Sequence, residues 1–466
     1  MRATLVLGSL LFACPAHAAE LELADVLAAV EKHHPLIAAE LASVRAAEAD
    51  AYAARGEFDT TVSVQGRIAP AGYYDPKRAE LVVEQPTPFA GASLYAGYRI
   101  GRGNIAPYYG EQRTLDGGEL RGGARIPLLQ DRAIDARRAG LRSSALATRA
   151  SEASRDKVAL DLERDAASAY FAWVAAGLKL QVSEDLLALA ETRKAQIAEK
   201  VSLGALPPLE ALDNERTILE RTRQRVTMRR AFEKASIDLS LFLRDAEGMP
   251  RIPSREDLPA TIAETEVAQP TRVEAEQRAL SLRPELSQLS LQLDLTALER
   301  ELGQNRLLPR LDVFAEASKD FGGGPANYAY TLRPTVFEAG VSVSVPIWLR
   351  KARGKLRAVE QKLEAGEHKL AFAREKARAD VQDAYSQLAA ARERLEVALR
   401  AHETALRVAN GERERFEFGA STVLFVNLRE QATADAHLSA IDARAELGFA
   451  HARVTLATGT SLRARK

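Results

Sequence analysis

Glu338-Ala339-Gly340-Val341-Ser342-Val343-Ser344-Val345-Pro346-Ile347-Trp348 alternates apolar with small or polar residues until a proline ends the run, and a long charged, Ala-rich stretch follows. Such alternation puts the apolar side chains on one face of a β-strand, and Pro346 closes the ladder because it has no N–H to donate. The same passage occurs once before. Arg125-Ile126-Pro127-Leu128-Leu129 also ends a strand-like run on proline and also leads into a long helix pattern. Downstream the register is kept: Tyr170 stands 34 residues before Gly204, and Tyr385 stands 34 residues before Gly419. Each Gly interrupts an otherwise continuous helical pattern. The period is far longer than the roughly 20–50 residues of a solenoid repeat. It implies a duplicated unit whose halves build one pseudo-symmetric object.

Each copy has the same order of parts. The first, 24–244, reads as a helix at 24–55, a β region at 58–127, a long helix at 130–203, a break near 204 and a helix at 206–244. The second, 272–458, repeats this with a helix at 272–307, a β region at 311–347, a long helix at 349–418, a break near 419 and a helix at 421–458. Residues 245–271, with Pro250, Pro253, Pro259 and Pro270, read as a linker. A helix of some 70 residues would be roughly 105 Å long at the standard rise, more than one globular domain can cover. It needs company along its whole length. The two shorter helices of each copy, stacked end to end, match the long one, which predicts a two-rod hairpin turning at Gly204 or Gly419. The faces suit this: Val381, Ala384, Tyr385, Leu388, Ala391 and Leu395 fall at a 3–4 spacing, with Arg and Glu opposite.

The totals exclude several classes. With 64 basic and 64 acidic residues there is no electrostatic case for nucleic-acid binding. One Cys excludes an intrachain disulfide framework, and the seven His form no metal-ligand or catalytic motif. No catalytic, cofactor or metal site is expected. At the N-terminus Arg2, the apolar run Leu5–Phe12 and Ala16-His17-Ala18 form an export signal, 1–18, cleaved after Ala18. Leu11-Phe12-Ala13-Cys14 offers a competing lipobox, with Cys14 acylated. No other run approaches the ~18 apolar residues of a spanning helix, so a membrane crossing would have to be a β-barrel.

The β regions are a separate environment, since they hold 8 of the 11 Tyr and 15 of the 28 Gly in under a quarter of the chain. Alternation recurs in Thr61–Arg67 and Ala92–Arg99. A barrel with lipid outside and water inside requires this pattern, and a half-buried soluble sheet produces it too. The export signal, the Tyr clustering and Trp348 at the strand–helix junction favour the membrane barrel, with Trp348 at the interface.

With these features the chain resembles the TolC-like outer membrane factors, the exit ducts of Gram-negative efflux pumps and type I secretion systems. The resemblance rests on the two copies, on His34-Pro35-Leu36 and Arg283-Pro284-Glu285-Leu286, on Leu308-Pro309-Arg310-Leu311, and on the Pro127 and Pro346 junctions. Val201-Ser202-Leu203-Gly204-Ala205 and Phe416-Glu417-Phe418-Gly419-Ala420-Ser421 complete it at the turns. It implies a mixed, mainly α fold in a homotrimer: four strands per chain in a 12-stranded transmembrane barrel, continuous with a long periplasmic α-helical barrel. It also implies a location in the outer membrane reaching into the periplasm, and as partners a periplasmic adaptor, a proton-driven or ATP-driven inner-membrane pump and outer membrane lipid. The function implied is passive exit of small molecules, metal ions or proteins.

By position, Leu203, Gly204, Ala205, Phe418, Gly419 and Ala420 become the periplasmic tip and adaptor contact. The best-known member closes its duct with a Tyr three residues before the second tip Gly, an Arg two after it, and Asp six after each Gly. Here those places hold Phe416, Ser421, Glu210 and Phe425, so that network cannot form as such. Glu210 and Asp213 are expected as carboxylate rings favouring cations, although an acid at a helix start also complements the helix dipole. Phe416 and Phe425 are expected as an apolar constriction. Residues Glu80–Gln85 and Ala92–Ile100 exceed the four strands, as an outside hairpin or as longer strands. The competing class is a secreted periplasmic coiled-coil scaffold without a channel.

Overall fold

The computed structural model describes residues 20–106, 113–262, 269–323 and 335–465. The expected export signal 1–18 and Cys14 lie outside them. In chain order the elements are α1 (Leu23–His33), α2 (Pro35–Arg55), β1 (Thr61–Ile68), β2 (Lys77–Pro86), β3 (Ser93–Arg102) and β4 (Glu119–Pro127). Next come α3 (Ala136–Ser202), α4 (Pro208–Ser240), α5 (Arg272–Leu282), α6 (Pro284–Asn305), β5 (Arg310–Asp320), β6 (Thr335–Ser344), α7 (Arg350–Glu417) and α8 (Val423–Ala457).

Proline sets several of these boundaries. Pro35, Pro208 and Pro284 each open a helix, where the missing N–H costs nothing. His34 (φ −74°, ψ 128°) and Arg283 (φ −66°, ψ 121°) are extended, as the residue before proline prefers to be. The stretches 24–55 and 272–307, each read as one helix, are therefore two helices apiece. At α5 a capping box fixes the start: Glu274 N–H donates to Thr271 Oγ1 (3.4 Å) and Thr271 N–H to Glu274 Oε2 (2.9 Å).

The chain divides into two compact units. One takes residues up to Ala39, Asp156–Pro284 and Arg374 onward. Its first core gathers Val26, Leu27, Val30, Leu162, Ala166, Val174 and Leu239 around the fully buried Trp173, whose indole N–H donates to Ser236 Oγ at 3.1 Å. Its second is almost all small: Ala275, Ala279, Val381, Ala384, Leu388, Ala391, Ala450 and Val454. Small side chains let helices approach closely. Tyr170 donates its hydroxyl to the Leu21 carbonyl (3.0 Å), and Tyr385 donates to that of Pro270. Each acceptor lies two residues before a short helix, so the two tyrosines do the same work in the two halves.

The other unit takes Glu40–Arg155 and Glu285–Ala373 and contains the sheet. Six antiparallel strands run in the order β1-β2-β3-β4-β5-β6. Four strands were expected of this chain. The residues 80–85 and 92–100 form β2 and β3, whose alternation is masked in sequence by Lys77, Arg78 and Glu80 at one end of β2. The strand–helix junctions after β4 and β6 both use a non-glycine residue at positive φ, Asp131 (69°) and Leu349 (48°). Asp131 is held there by reciprocal bonds with Asn305, from its N–H to Asn305 Oδ1 (3.0 Å) and from Asn305 Nδ2 to its Oδ1 (3.1 Å).

Candidate functional site

Register sorts the sheet residues onto two faces. Val62 and Val64 of β1 oppose Val83 and Leu81 of β2; Leu81 opposes Tyr98 of β3, and Tyr98 opposes Leu120 of β4. On the same face Ile126 opposes Val313, which opposes Val341. This apolar face is the exposed one: Val64 is 73 % and Phe337 75 % exposed. The opposite face carries Glu80, Tyr95, Arg99, Glu119, Arg121 and Glu316, and there Glu80 is 9 % and Glu119 4 % exposed. A soluble half-buried sheet has the reverse arrangement, charges outward and valines inward. Lipid outside and water inside require the one seen.

The charged face is cross-linked. Arg78 and Arg121 both pair with Glu80, the former at 2.6 Å, and Arg99 pairs with Glu119. Tyr95 donates to Glu316 at 2.6 Å, reaching over β4 at Gly123, which lies directly between them in the ladder. A Cβ on Gly123 would sit 2.6 Å from the Tyr95 hydroxyl. Glycine is needed there because the Tyr95 side chain and the Ala315 carbonyl oxygen, 2.5 Å from such a Cβ, occupy its space.

The turns that end the long helices were also expected to be functional. Gly204 (φ 72°) and Gly419 (φ 73°) follow α3 and α7. Ala205 N–H donates to the Lys200 carbonyl (2.9 Å) and Gly204 N–H to that of Val201 (3.0 Å). Ala420 to Arg415 (2.8 Å) and Gly419 to Phe416 (3.1 Å) repeat this. Both are Schellman caps, in which a left-handed residue satisfies the last carbonyls. Leu203 is 75 % and Phe418 87 % exposed, and Ala205 and Ala420 are exposed beside them. Lys200 Nζ lies 4.9 Å from the centre of the Phe416 ring, which brings the two turns side by side.

The remaining expected residues are placed as follows. Glu210 lies in the first turn of α4, with Oε2 buried and without a hydrogen-bond partner. Asp213 faces Arg216 on its own helix at 3.9 Å. Phe425 is about half exposed on α8, and Ser421 Oγ donates to Glu412. Trp348, after β6, is 70 % exposed with the Arg350 guanidinium 5.3 Å above its ring.

A cluster near these turns was not foreseen. Glu430 of α8, its side chain 1 % exposed, accepts from Arg193 of α3, from Arg221 of α4 (3.1 Å) and from Arg413 of α7 (3.2 Å). One carboxylate thus ties four helices. Burial pushes the Glu430 carboxyl up, but the guanidiniums of Arg193 and Arg221 pull it further down, so it lies below the ordinary range. Burial lowers Arg221, with Glu430 opposing it. Arg193 also donates to Asn427 Oδ1 (2.6 Å), and Arg221 to the Leu186 carbonyl (2.7 Å). The sequence signal was available: Glu430 falls in the apolar stripe of Val423, Val426, Ala434 and Ile441.

Residues 275–460 match the family model described as "Outer membrane efflux protein". Over those residues the chain is similar to that family. Three solved structures illustrate the shared fold. The CmeC outer membrane channel of Campylobacter jejuni is 12 % identical at a TM-score of 0.66, covering 95 % of this chain and 87 % of its own. VceC of Vibrio cholerae is 13 % identical at 0.64, covering 94 % and 96 %. The open state of the MtrE outer membrane channel of Neisseria gonorrhoeae is 14 % identical at 0.65, covering 95 % and 89 %. No curated protein matches. The chain shares with these structures a fold that is mainly helical, here with a six-stranded antiparallel sheet. Among the described residues no helix is long and apolar enough to cross a membrane.

Proposed function

We propose that this protein is the homotrimeric exit duct of a tripartite efflux pump or type I secretion system. The observation that carries the reading is the inverted sheet, with valines exposed and paired Arg and Glu enclosed, which supports a wall between lipid and water. Three copies are what the resemblance implies, and α7 supports self-association, since Val397 (60 % exposed), Leu406 (42 %) and Val408 (44 %) are open to neighbouring copies. The Schellman turns, with Leu203 and Phe418 projecting, are the periplasmic tip that an adaptor grips, and an inner-membrane pump, proton-driven or ATP-driven, chooses the cargo. Small molecules, metal ions and proteins all suit such a duct. Glu210 and Asp213 act as carboxylate rings, Phe416 and Phe425 as an apolar constriction, and Trp348 as an interfacial anchor.

Fractionation tests the reading. The mature protein is expected in the outer membrane, released only by detergent, and migrating on unboiled gels as a species of three chains. Recovery as a monomer in the osmotic-shock fraction would identify a periplasmic scaffold instead.

A further inference from the structure

The sheet gives the membrane wall more of the chain than the resemblance implies. We propose that all six strands, β1 to β6, belong to the barrel wall, and that the free edge of β6 pairs with the free edge of β1 in a second copy of this chain. Three copies, with six strands each, would then close an eighteen-stranded barrel. This rests on the reading of the chain as a three-copy duct.

Four observations place the extra hairpin, β2–β3, in the wall and not beside it. The ladder is unbroken: β1 pairs with β2 over eight residue positions, β2 with β3 over ten, and β3 with β4 over seven. Leu81 and Tyr98 of the hairpin continue the apolar face that Val64 and Leu120 carry on either side. On the opposite face the hairpin takes part in all three charge pairs named above, and Arg121 of β4 reaches past Gly97 of β3 to Glu80 of β2. A Cβ on Gly97 would lie 3.0 Å from the Leu81 carbonyl oxygen and 3.5 Å from Arg121 Nε, so the glycine keeps that route open. Finally, the β2–β3 turn is seated at the wall's rim: a Cβ on Gly91 would lie 2.4 Å from the Asp131 carbonyl oxygen and 3.0 Å from Pro127 Cγ.

The edges name the occupant. β1 and β6 end the strand order, and every residue of β1 is exposed. An open edge cannot stand in lipid, where its unpaired backbone groups find no water to bond. One chain cannot close on itself around this charged face, because about eight strands are needed merely to enclose side chains. An even strand number leaves β6 antiparallel to β1, so a head-to-tail ring of identical chains closes with regular pairing. Barrels of about 16–18 strands hold an aqueous channel, wide enough for the Arg and Glu of the inner face to stay solvated.

The direct test is a strand count, by cryo-electron microscopy, on the wild-type protein purified into lipid nanodiscs. The expected map shows eighteen strands with β6 of each copy against β1 of the next. A three-copy barrel of twelve strands with β2–β3 outside it would overturn this inference and leave the duct reading intact. Absence of a barrel or of three copies would overturn both. Labelling is the second arm: in liposomes Leu81→Cys is expected to lose reaction with a membrane-impermeant maleimide while Val82→Cys keeps it, the unsubstituted protein serving as control. Equal labelling of the two would count against a lipid-facing Leu81.

Discussion

Glu430 shows how much one residue can hold. Three guanidiniums converge on a carboxylate that is 1 % exposed, and removal of the carboxylate leaves those of Arg193 and Arg221 largely buried without it. Breaking such a pair typically costs about 3–5 kcal/mol. Glu430→Ala is therefore expected to lower the unfolding temperature and to raise hydrogen exchange in α8, whereas Arg413→Ala, its side chain 38 % exposed, should cost only about 0–1 kcal/mol. The pH dependence follows in sign. A carboxyl held below its unfolded value of 4.5 contributes stability that is complete above that pH and is lost as pH falls through the folded value. Melting curves of wild type should fall below about pH 4.5, and those of Glu430→Gln should start lower and stay flatter there. A wild-type fall no steeper than the variant's would refute the role given to this carboxylate.

At the scale of elements, the turns and strands make separable demands on glycine. At Gly204 and Gly419 nothing lies within 4 Å of an added Cβ, so substitution is opposed by backbone conformation alone. Gly419→Ala should cost about 1–2 kcal/mol, the usual penalty of the left-handed region, and Gly419→Asn less; equal melting of Ala and Asn variants would contradict this. At Gly97 the demand is space. Gly97→Val should block assembly or lower its thermal stability by overpacking worth about 1–3 kcal/mol, while Gly66→Ala on β1, with 3.9 Å to its nearest neighbour, should assemble as wild type does. Gel mobility of the unboiled assembly reads the difference.

These elements also show what a sequence displays and what it hides. The caps were legible because a Gly breaking a long amphipathic pattern has one physical use. The strand at 338–345 was legible because its alternation is undiluted. The β2 strand was ambiguous, because its Lys77, Arg78 and Glu80 resemble a loop unless Arg121, some 40 residues on, is known to meet Glu80. The breaks before Pro35 and Pro284 were visible in composition but were absorbed into single helix patterns. The Arg–Glu430 cluster was hidden for a different reason. Its members come from four helices, and only packing shows that Arg193, Arg221 and Arg413 point to one place, although a glutamate in an apolar stripe was a sign.

The whole molecule is proposed to combine a wall and a path. The proposed wall is a sheet whose exposed face is apolar and whose enclosed face is ion-paired; the proposed constriction includes Glu210 and Asp213 at the start of α4, after the Gly204 turn. Both belong to one duct only if the protein conducts. Conductance of the purified assembly in a planar lipid bilayer tests this most directly, with Glu210→Gln measured alongside. The expected result is stepwise, reproducible channels in wild type, with a cation preference that weakens in the variant. Absence of any conductance from correctly assembled protein would contradict the duct itself, and an unchanged preference in Glu210→Gln would contradict the part given to its carboxylate.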